Sequence, residues 1–473
     1  MEIDLKNLTI KKAHNHLTSG DFTVKELVDK YLDVIKEKDD KINAYLEIYD
    51  NINEQVKIAE QMFKDGKATI LTGIPVSIKD NILLKGYSAS AGSKILENHK
   101  ATYNAFVVDK LKEQGAILLG RTNMDEFAMG SSTQTSAYGV TRNPHDLTRV
   151  PGGTSGGPAA SVAADMALVA LGTETCGSVR QPSAFCGVVG LKPTYGAVSR
   201  SGVIAMGSSL DQVGPIGKSV EDVEILFNAI NGYDPKDSTS IPDDKRVVIK
   251  KPNRKRIAIP REFLNGEGIE AEILKNFEES CDKLKKAGYE LVDVDLPSIK
   301  YSLAVYYVIM PAEVSSNLAR YDGIKYGLSE EADNLLGVYT KSRGKGFGQE
   351  VRRRLLLGAY VLSHGHHDAY YETAVKVRQI IKDELNQMFK DFDAFMTPTA
   401  PTLPFKLGEK LDDPVAMYLS DIFSAPANLA DLSSVAVPSG FTENGLPFSV
   451  QFTAPYLRED VLFNIGKDFE KLI

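Results

Sequence analysis

Residues 151–182 read PGGTSGGPAASVAADMALVALGTETCGSVRQP. Two glycine-flanked hydroxyl clusters, Thr154-Ser155 and Ser178, bracket a run of small apolar residues. Glycine tolerates positive φ and lets backbone approach a ligand closely. Consecutive N–H groups in such a loop converge on an anion. Thr175, Cys176 and Gly177, leading into Ser178, are therefore expected to form an oxyanion hole with a nucleophile at its end. Losing one donor of this kind typically costs about 3–4 kcal/mol of transition-state stabilisation. The intervening stretch, 158–170, predicts a helix of small residues suited to a crowded interior.

Upstream, GIPVSIKDNI at 73–82 places Lys79 behind an apolar run, 73–78, that reads as a short buried strand. Burial strips an ammonium of its hydration, lowers its pKa and makes the neutral amine available as a base. A serine hydroxyl needs such a base to attack a carbonyl carbon. Lys79 can take the proton of Ser178 directly, or through Thr154 or Ser155. This is the logic of a Ser-His-Asp triad carried by other residue types. No one of these residues is specific, but their combination points to acyl transfer on an amide.

Around this block the pattern alternates. The first 60 residues read as helical, with a capping box at Thr23 and Glu26. A helix over 105–113 and strands over 116–120, 188–191 and 203–206 follow. Residues 233–256 are polar, charge-dense and proline-containing, and read as a surface excursion. Beyond them come a strand in RIAIP, an amphipathic helix over 271–288 and a strand in YELVDVDL. A mostly helical region over 299–392, a strand over 447–453 and a terminal helix complete the chain. Strand–helix–strand order favours an α/β fold.

The chain has 473 residues, enough to bury a large core, and its 43% hydrophobic and 25% charged content is that of an ordinary soluble protein. A net charge of −8 gives no reason to expect tight, direct binding to a nucleic-acid backbone. Cys176, Cys186 and Cys281 are too few and odd in number for a disulfide framework. No uncharged apolar run reaches the roughly 18 residues of a membrane span, and MEIDLKNLTIKK has no signal-peptide core. A cytoplasmic location is the expectation. GTSGG at 153–157 fits the nucleophile elbow of α/β-hydrolases, but polar TRNPHDLTRV precedes it where a buried strand is required. GPIGKS at 214–219 lacks the first glycine of a phosphate-binding loop, since position 212 is Gln. His364, His366 and His367 read as a polar helix face or bend, with no metal expected.

PGGTSGGPAASVA with GTETCGSVRQPSAFCGVVGLKPTYG, and GIPVSIKDNI, resemble the serine–glycine and lysine blocks of the amidase signature family. GRTNMDEFAMGSST, VSRSGVIAMGSSLDQVGPIGKSVED, GFGQEVRRRLLLGAYVLS and YLSDIFSAPANLA further resemble that family's tRNA-dependent amidotransferase A subunits. The resemblance implies one large α/β domain over 1–473 with a central mixed β-sheet covered by helices on both faces. It also implies a Ser–cis-Ser–Lys triad, here Ser178, Thr154 and Lys79, with backbone N–H groups of Thr175–Ser178 holding the oxyanion. Arg354 and Asp421 occupy the places that anchor the α-carboxylate and α-amino groups of glutamine, and Tyr306 or Tyr307 lines the same pocket. The family usually has serine at position 154 and glycine at 176. Threonine keeps the relay hydroxyl but adds a methyl group, and Ser155 is the alternative relay. The implied function is glutamine hydrolysis that supplies ammonia to a partner B subunit. That partner would activate misacylated tRNA with ATP and Mg, with a small C subunit completing a heterotrimer. No cofactor is expected on this chain. A stand-alone amidase and a catalytically impaired relative are the alternatives.

Overall fold

The computed structural model describes residues 3–246, 254–266 and 268–473. Eleven strands form one mixed sheet. In chain order they are β1 (Tyr45–Ile48), β2 (Pro75–Lys79), β3 (Ile117–Thr122), β4 (Val169–Glu174), β5 (Val189–Lys192), β6 (Gln212–Gly217), β7 (Arg256–Ile259), β8 (Glu290–Asp293), β9 (Ala394–Pro398), β10 (Ser433–Phe441) and β11 (Pro447–Ala454). Their order across the sheet is β1-β3-β2-β4-β6-β5-β10-β11-β9-β7-β8. β2 runs parallel to both β3 and β4, and β7 to β8 and β9, while the strands from β4 to β9 across the middle pair antiparallel. Every residue of β2, β4, β5, β6 and β9 is buried, so helices and loops cover both faces there.

The capping box is present. Thr23 Oγ1 accepts from Glu26 N–H at 3.1 Å and Glu26 Oε2 accepts from Thr23 N–H at 2.7 Å, opening the helix Val24–Ile42. The N-terminal region is not wholly helical, because β1 edges the sheet against β3. The small-residue helix is shorter than its composition predicts, running Gly156–Ala163. Asp165 then turns left-handed at φ +62°, and the remaining apolar residues become β4. A short, uniformly apolar run has no period to tell a buried strand from a buried helix. Residues 203–206 do not form a strand. Val203 makes a single bridge to Ile82, and the Met206 and Gly207 N–H groups bond the Asp211 carboxylate at 2.8 and 3.1 Å. The ladder strand in that region is β6. GPIGKS ends β6, and Ser219 caps the following helix Val220–Ile230.

The polar stretch 233–256 is pinned at its start. Asp234 accepts from Ser199 Oγ at 2.6 Å and Asp237 from Arg200 N–H at 2.7 Å. Residues 247–253 lie outside the described residues, and β7 begins at Arg256. No helix among the described residues is long and apolar enough to cross a membrane.

Candidate active site

Lys79 closes β2, between β3 and β4, and its side chain is fully buried. Nζ lies 2.7 Å from Thr154 Oγ1, 2.9 Å from Ser155 Oγ and 3.2 Å from the carbonyl oxygen of Thr173 on the neighbouring β4. Burial pushes its pKa down to about 7, against the opposing pull of Asp125, Asp211 and Glu174. At neutral pH a large share of Lys79 is therefore a free amine, with two N–H donors and one lone pair.

The partners divide those valences unequally. Ser155 Oγ donates its own proton to the Thr173 carbonyl at 3.0 Å, so towards Lys79 it acts only as an acceptor. The carbonyl is also only an acceptor. These two take both N–H groups of the neutral amine. The lone pair is left for Thr154, whose hydroxyl has no other partner among the described residues. Sequence alone leaves Thr154 and Ser155 as alternative relays. The hydrogen-bond inventory separates them, with Thr154 able to give its proton to Lys79 and Ser155 holding the amine in place.

Thr154 and Ser155 lead into the helix Gly156–Ala163, and Ser178 lies between β4 and the helix Arg180–Phe185. The two segments are tied by the Ser155 N–H, which donates to the Ser178 carbonyl at 3.1 Å. Gly153 cannot carry a side chain, because a Cβ there would come within 2.3 Å of Pro182 Cδ. No strand leads directly into residues 153–157, which disposes of the nucleophile-elbow alternative. All described peptide bonds are trans, where the resemblance implied a cis bond at the relay. The Ser178 hydroxyl makes no hydrogen bond to the described residues, and its side chain retains slight exposure at 5%.

The N–H groups of Thr175, Cys176, Gly177 and Ser178 donate to no acceptor among the described residues. Four consecutive unpaired donors in a buried loop are rare in folded proteins, and successive free N–H groups are the kind of donor that an anion requires. The next two N–H groups, of Val179 and Arg180, are claimed by Glu174 Oε2 at 3.0 and 3.1 Å, which folds the loop back on itself. Gly177 holds φ +75°, and a Cβ there would meet Ser424 Oγ at 2.6 Å. Thr175 Oγ1 fastens the loop by donating to Asp211 at 2.7 Å. Cys176 leaves the backbone donors free. Its buried thiol packs 3.5 Å from Ser424 Oγ, and burial pushes its pKa well above the ordinary value.

A second buried group of side chains faces this loop. Asp421 accepts from Ser131 Oγ at 3.2 Å and from Tyr307 OH at 3.0 Å, and burial raises its pKa to about 7. Arg354 is buried over the rings of Tyr307 and Tyr418, 5.5 and 5.3 Å from their centroids, with Nε donating to Glu350 at 2.7 Å. Tyr307 stacks on Tyr418 at 4.1 Å, and Tyr306 meets Tyr307 edge-on at 4.9 Å. A buried cation with unspent donors beside a buried carboxylate suits the two ends of an amino acid. Ser131, Glu350, Tyr418 and Ser424 were missed by sequence reasoning. Glu350 stands four residues before Arg354 and Tyr418 three before Asp421, spacings that a helical reading would have flagged.

Arg180 joins the two groups. Its guanidinium pairs with Glu174 at 2.5 Å and also reaches the Ser424 carbonyl at 3.0 Å, Asn428 Oδ1 at 2.5 Å and Gln451 Oε1 at 2.6 Å. The nucleophile loop is thereby bolted to the segment that carries Asp421. Elsewhere, His364–His367 form a turn running into a single π-helical turn, and His367, Asp368 and Glu372 come together there at the surface. The bend read from the sequence is present, and the Asp368 and Glu372 carboxylates lie beside His367 in it.

A sequence model of the Amidase family matches residues 26–463. The chain belongs to the amidase family. This amidase is 48% identical over 478 residues to the A subunit of the glutamyl-tRNA(Gln) amidotransferase of Clostridium botulinum strain Langeland, covering all of this chain and 98% of that protein. It is 47% identical to the protein of the same name from Desulfatibacillum aliphaticivorans, over 99% of this chain and 97% of that one. The crystal structure of the corresponding Thermotoga maritima protein superposes with a TM-score of 0.83 at 41% identity, covering 100% of this amidase and 96% of the other chain.

Proposed function

We propose that this amidase is the glutaminase component of a tRNA-dependent amidotransferase, with Ser178 as nucleophile, Thr154 as relay and Lys79 as base. Glutamine lies with its α-carboxylate on Arg354, its α-ammonium on Asp421 and its side-chain amide against the 175–178 loop, with Tyr306 and Tyr307 as walls. Ser178 Oγ attacks the amide carbon while its proton passes to Thr154, whose own proton passes to the Lys79 amine. The carbonyl π electrons move to oxygen, and the anion is held by the N–H groups of Thr175, Cys176, Gly177 and Ser178. The proton then returns along the same path to the leaving nitrogen, ammonia departs, and an acyl ester remains on Ser178. Water, activated by the same relay, releases glutamate.

The observation that carries this reading is the Lys79 amine, whose lone pair is left facing the Thr154 hydroxyl, together with a buried loop of four unpaired N–H groups. The full-length likeness to amidotransferase A subunits supports glutamine as the amide. The ammonia would pass to a B subunit that activates misacylated tRNA with ATP and Mg, a small C subunit would complete the complex, and the assembly would work in the cytoplasm. Glutaminase activity of the chain alone and with B and C subunits tests this, for wild type, Ser178→Ala and Thr154→Ser. The expected result is glutamine hydrolysis abolished by Ser178→Ala. Turnover of simple amides but not of glutamine would refute it in favour of a stand-alone amidase. Activity appearing only in Thr154→Ser would refute it in favour of an impaired relative.

A further inference from the structure

Residues 124–135, MDEFAMGSSTQT, follow β3 and carry a carboxylate that takes no part in the proton path. Asp125 is fully buried. Its Oδ2 accepts from the N–H groups of Ser132 and Thr133 at 3.2 and 2.8 Å, and its Oδ1 from the N–H and Oγ1 of Thr135 at 3.0 and 2.9 Å. A buried carboxylate is costly unless it is paired or well hydrogen-bonded. Here all four of these donors are neutral and belong to one loop, residues 130–135.

That loop touches both halves of the site. Thr133 Oγ1 donates to the Gly153 carbonyl at 2.7 Å and accepts from the Gly156 N–H at 3.0 Å. The two bonds bracket Thr154 and Ser155, the hydroxyl residues on Lys79. Two residues before Thr133, Ser131 Oγ donates to Asp421 at 3.2 Å. Thr133 makes its contacts at φ +55°. That left-handed conformation is rare for a β-branched residue and persists only where surrounding bonds impose it. The bond from the Thr133 N–H to Asp125 is one that does so.

Asp125 also acts through its charge. Burial pushes the Lys79 pKa down, and three buried carboxylates oppose it, Asp125 first, then Asp211 and Glu174. Glu174 is paired with Arg180 at 2.5 Å, and Asp211 accepts from Thr175 Oγ1 and from the N–H groups of Met206 and Gly207. A nearby negative charge favours the ammonium form, so Asp125 helps to keep Lys79 a base matched to neutral pH.

We propose that Asp125 is a positioning residue that holds the relay and the amine anchor together, acting through the Thr133 hydroxyl on the backbone either side of Thr154 and through the Ser131 hydroxyl on Asp421. The inference rests on the glutaminase reading for what the two halves of the site bind.

Glutamine hydrolysis by the complex with its B and C subunits, followed as kcat and KM against pH, tests the proposal, with thermal unfolding to confirm that each variant folds. Thr133→Val removes the hydroxyl without changing charge. Its kcat should fall roughly 10–100-fold with the acid limb of the kcat profile in place, and Thr133→Ser should restore kcat to within about threefold of wild type. Ser131→Ala should raise KM about 3–10-fold with kcat little changed. Asp125→Asn should lower kcat and raise KM together. Having lost the charge that favours the Lys79 ammonium, it should also move the acid limb of kcat to lower pH, a shift that misplaced backbone alone does not produce. Where Asp125→Asn does not fold, the Thr133 and Ser131 variants decide. Thr133→Val with kcat within about threefold of wild type, Ser131→Ala with unchanged KM, or a folded Asp125→Asn whose acid limb stays or rises overturns the proposal. Such results beside a wild type that hydrolyses glutamine refute only the role of Asp125, whereas a wild type with no glutamine turnover refutes the glutaminase reading itself.

Discussion

Thr154→Val replaces a hydroxyl with a methyl group of nearly the same shape at the one point where Lys79 can receive a proton. The magnitude follows from the valences at Nζ. With Ser155 Oγ at 2.9 Å and the Thr173 carbonyl at 3.2 Å taking the two N–H groups, the amine's lone pair has only the Thr154 hydroxyl, at 2.7 Å, to accept from. Losing that hydroxyl breaks the proton path, and positioned acid–base groups contribute about 10²–10⁴-fold. The expected fall in kcat is therefore roughly 10²–10⁴, or about 2.7–5.4 kcal/mol of barrier. Stability should fall by about 1–3 kcal/mol, because one buried polar valence loses its partner. Ser155→Ala is the matched control. It removes the acceptor for Lys79 and the donor to Thr173, so it should cost more stability and less activity. Steady-state glutaminase kinetics with thermal unfolding on each variant give both numbers. If folded Thr154→Val keeps kcat within about threefold of wild type while folded Ser155→Ala is inactive, the assignment of the relay is refuted.

The pH profile carries a sign. Lys79 must be neutral to act as base and Asp421 ionised to hold an ammonium, and both titrate at about 7. Falling pH disables both, so kcat/KM should drop below about pH 7 with a limiting slope between one and two, and a flat profile from about pH 5.5 to 8 would contradict this. Arg354→Lys loses the planar fork over Tyr307 and Tyr418, and should raise KM for glutamine roughly 10–100-fold with a smaller change in kcat. The Cys176 thiol, which burial holds well above its ordinary pKa, should resist iodoacetamide in the native protein at about pH 7.5, as read by intact-mass spectrometry. Cys176→Gly should keep kcat within a few-fold, since the oxyanion donors there are backbone.

The catalytic constellation was legible because its chemistry restricts residue type. Few arrangements place a lysine behind an apolar run and a serine inside a glycine loop, and the structure brings Lys79 to Thr154 and Ser155, with the Ser155 N–H on the Ser178 carbonyl. The choice of relay was not legible. Thr154 and Ser155 are adjacent hydroxyls, and only the Thr173 carbonyl on β4, which claims the Ser155 proton, tells them apart. Strands failed where burial erased the period. The first two residues of β4, Val169 and Ala170, fall inside the helix read over 158–170 and the rest of the strand went unread, and β6, QVGPIG, has too little alternation to announce itself. Conversely, 203–206 looks strand-like yet serves as a loop whose N–H groups grip Asp211. Ser131 escaped because it is an ordinary polar residue until its distance to Asp421 is known, whereas Glu350 and Tyr418 stand four and three residues before Arg354 and Asp421, spacings that a helical reading would have used.

The two unusual side chains, Thr154 and Cys176, sit where the fold asks little of a side chain's identity. At 176 the proposed chemistry needs only an N–H, and the loop around it is held by neighbours. Glu174 gathers the following two N–H groups, Thr175 is fastened to Asp211, and Gly177 supplies the left-handed turn. The thiol points away to Ser424, into the seam that Arg180 already closes. At 154 the chemistry needs a hydroxyl, and threonine has one. The added methyl group sits in a fully buried position, and the hydroxyl still lies 2.7 Å from Lys79 Nζ. Positions 153 and 177 are different, because at each the backbone runs so close to a neighbour that any Cβ would collide with it. Constraint in this site therefore follows main-chain geometry more than the reacting side chains' neighbours, which is why the loop can vary at Cys176 and not at Gly177.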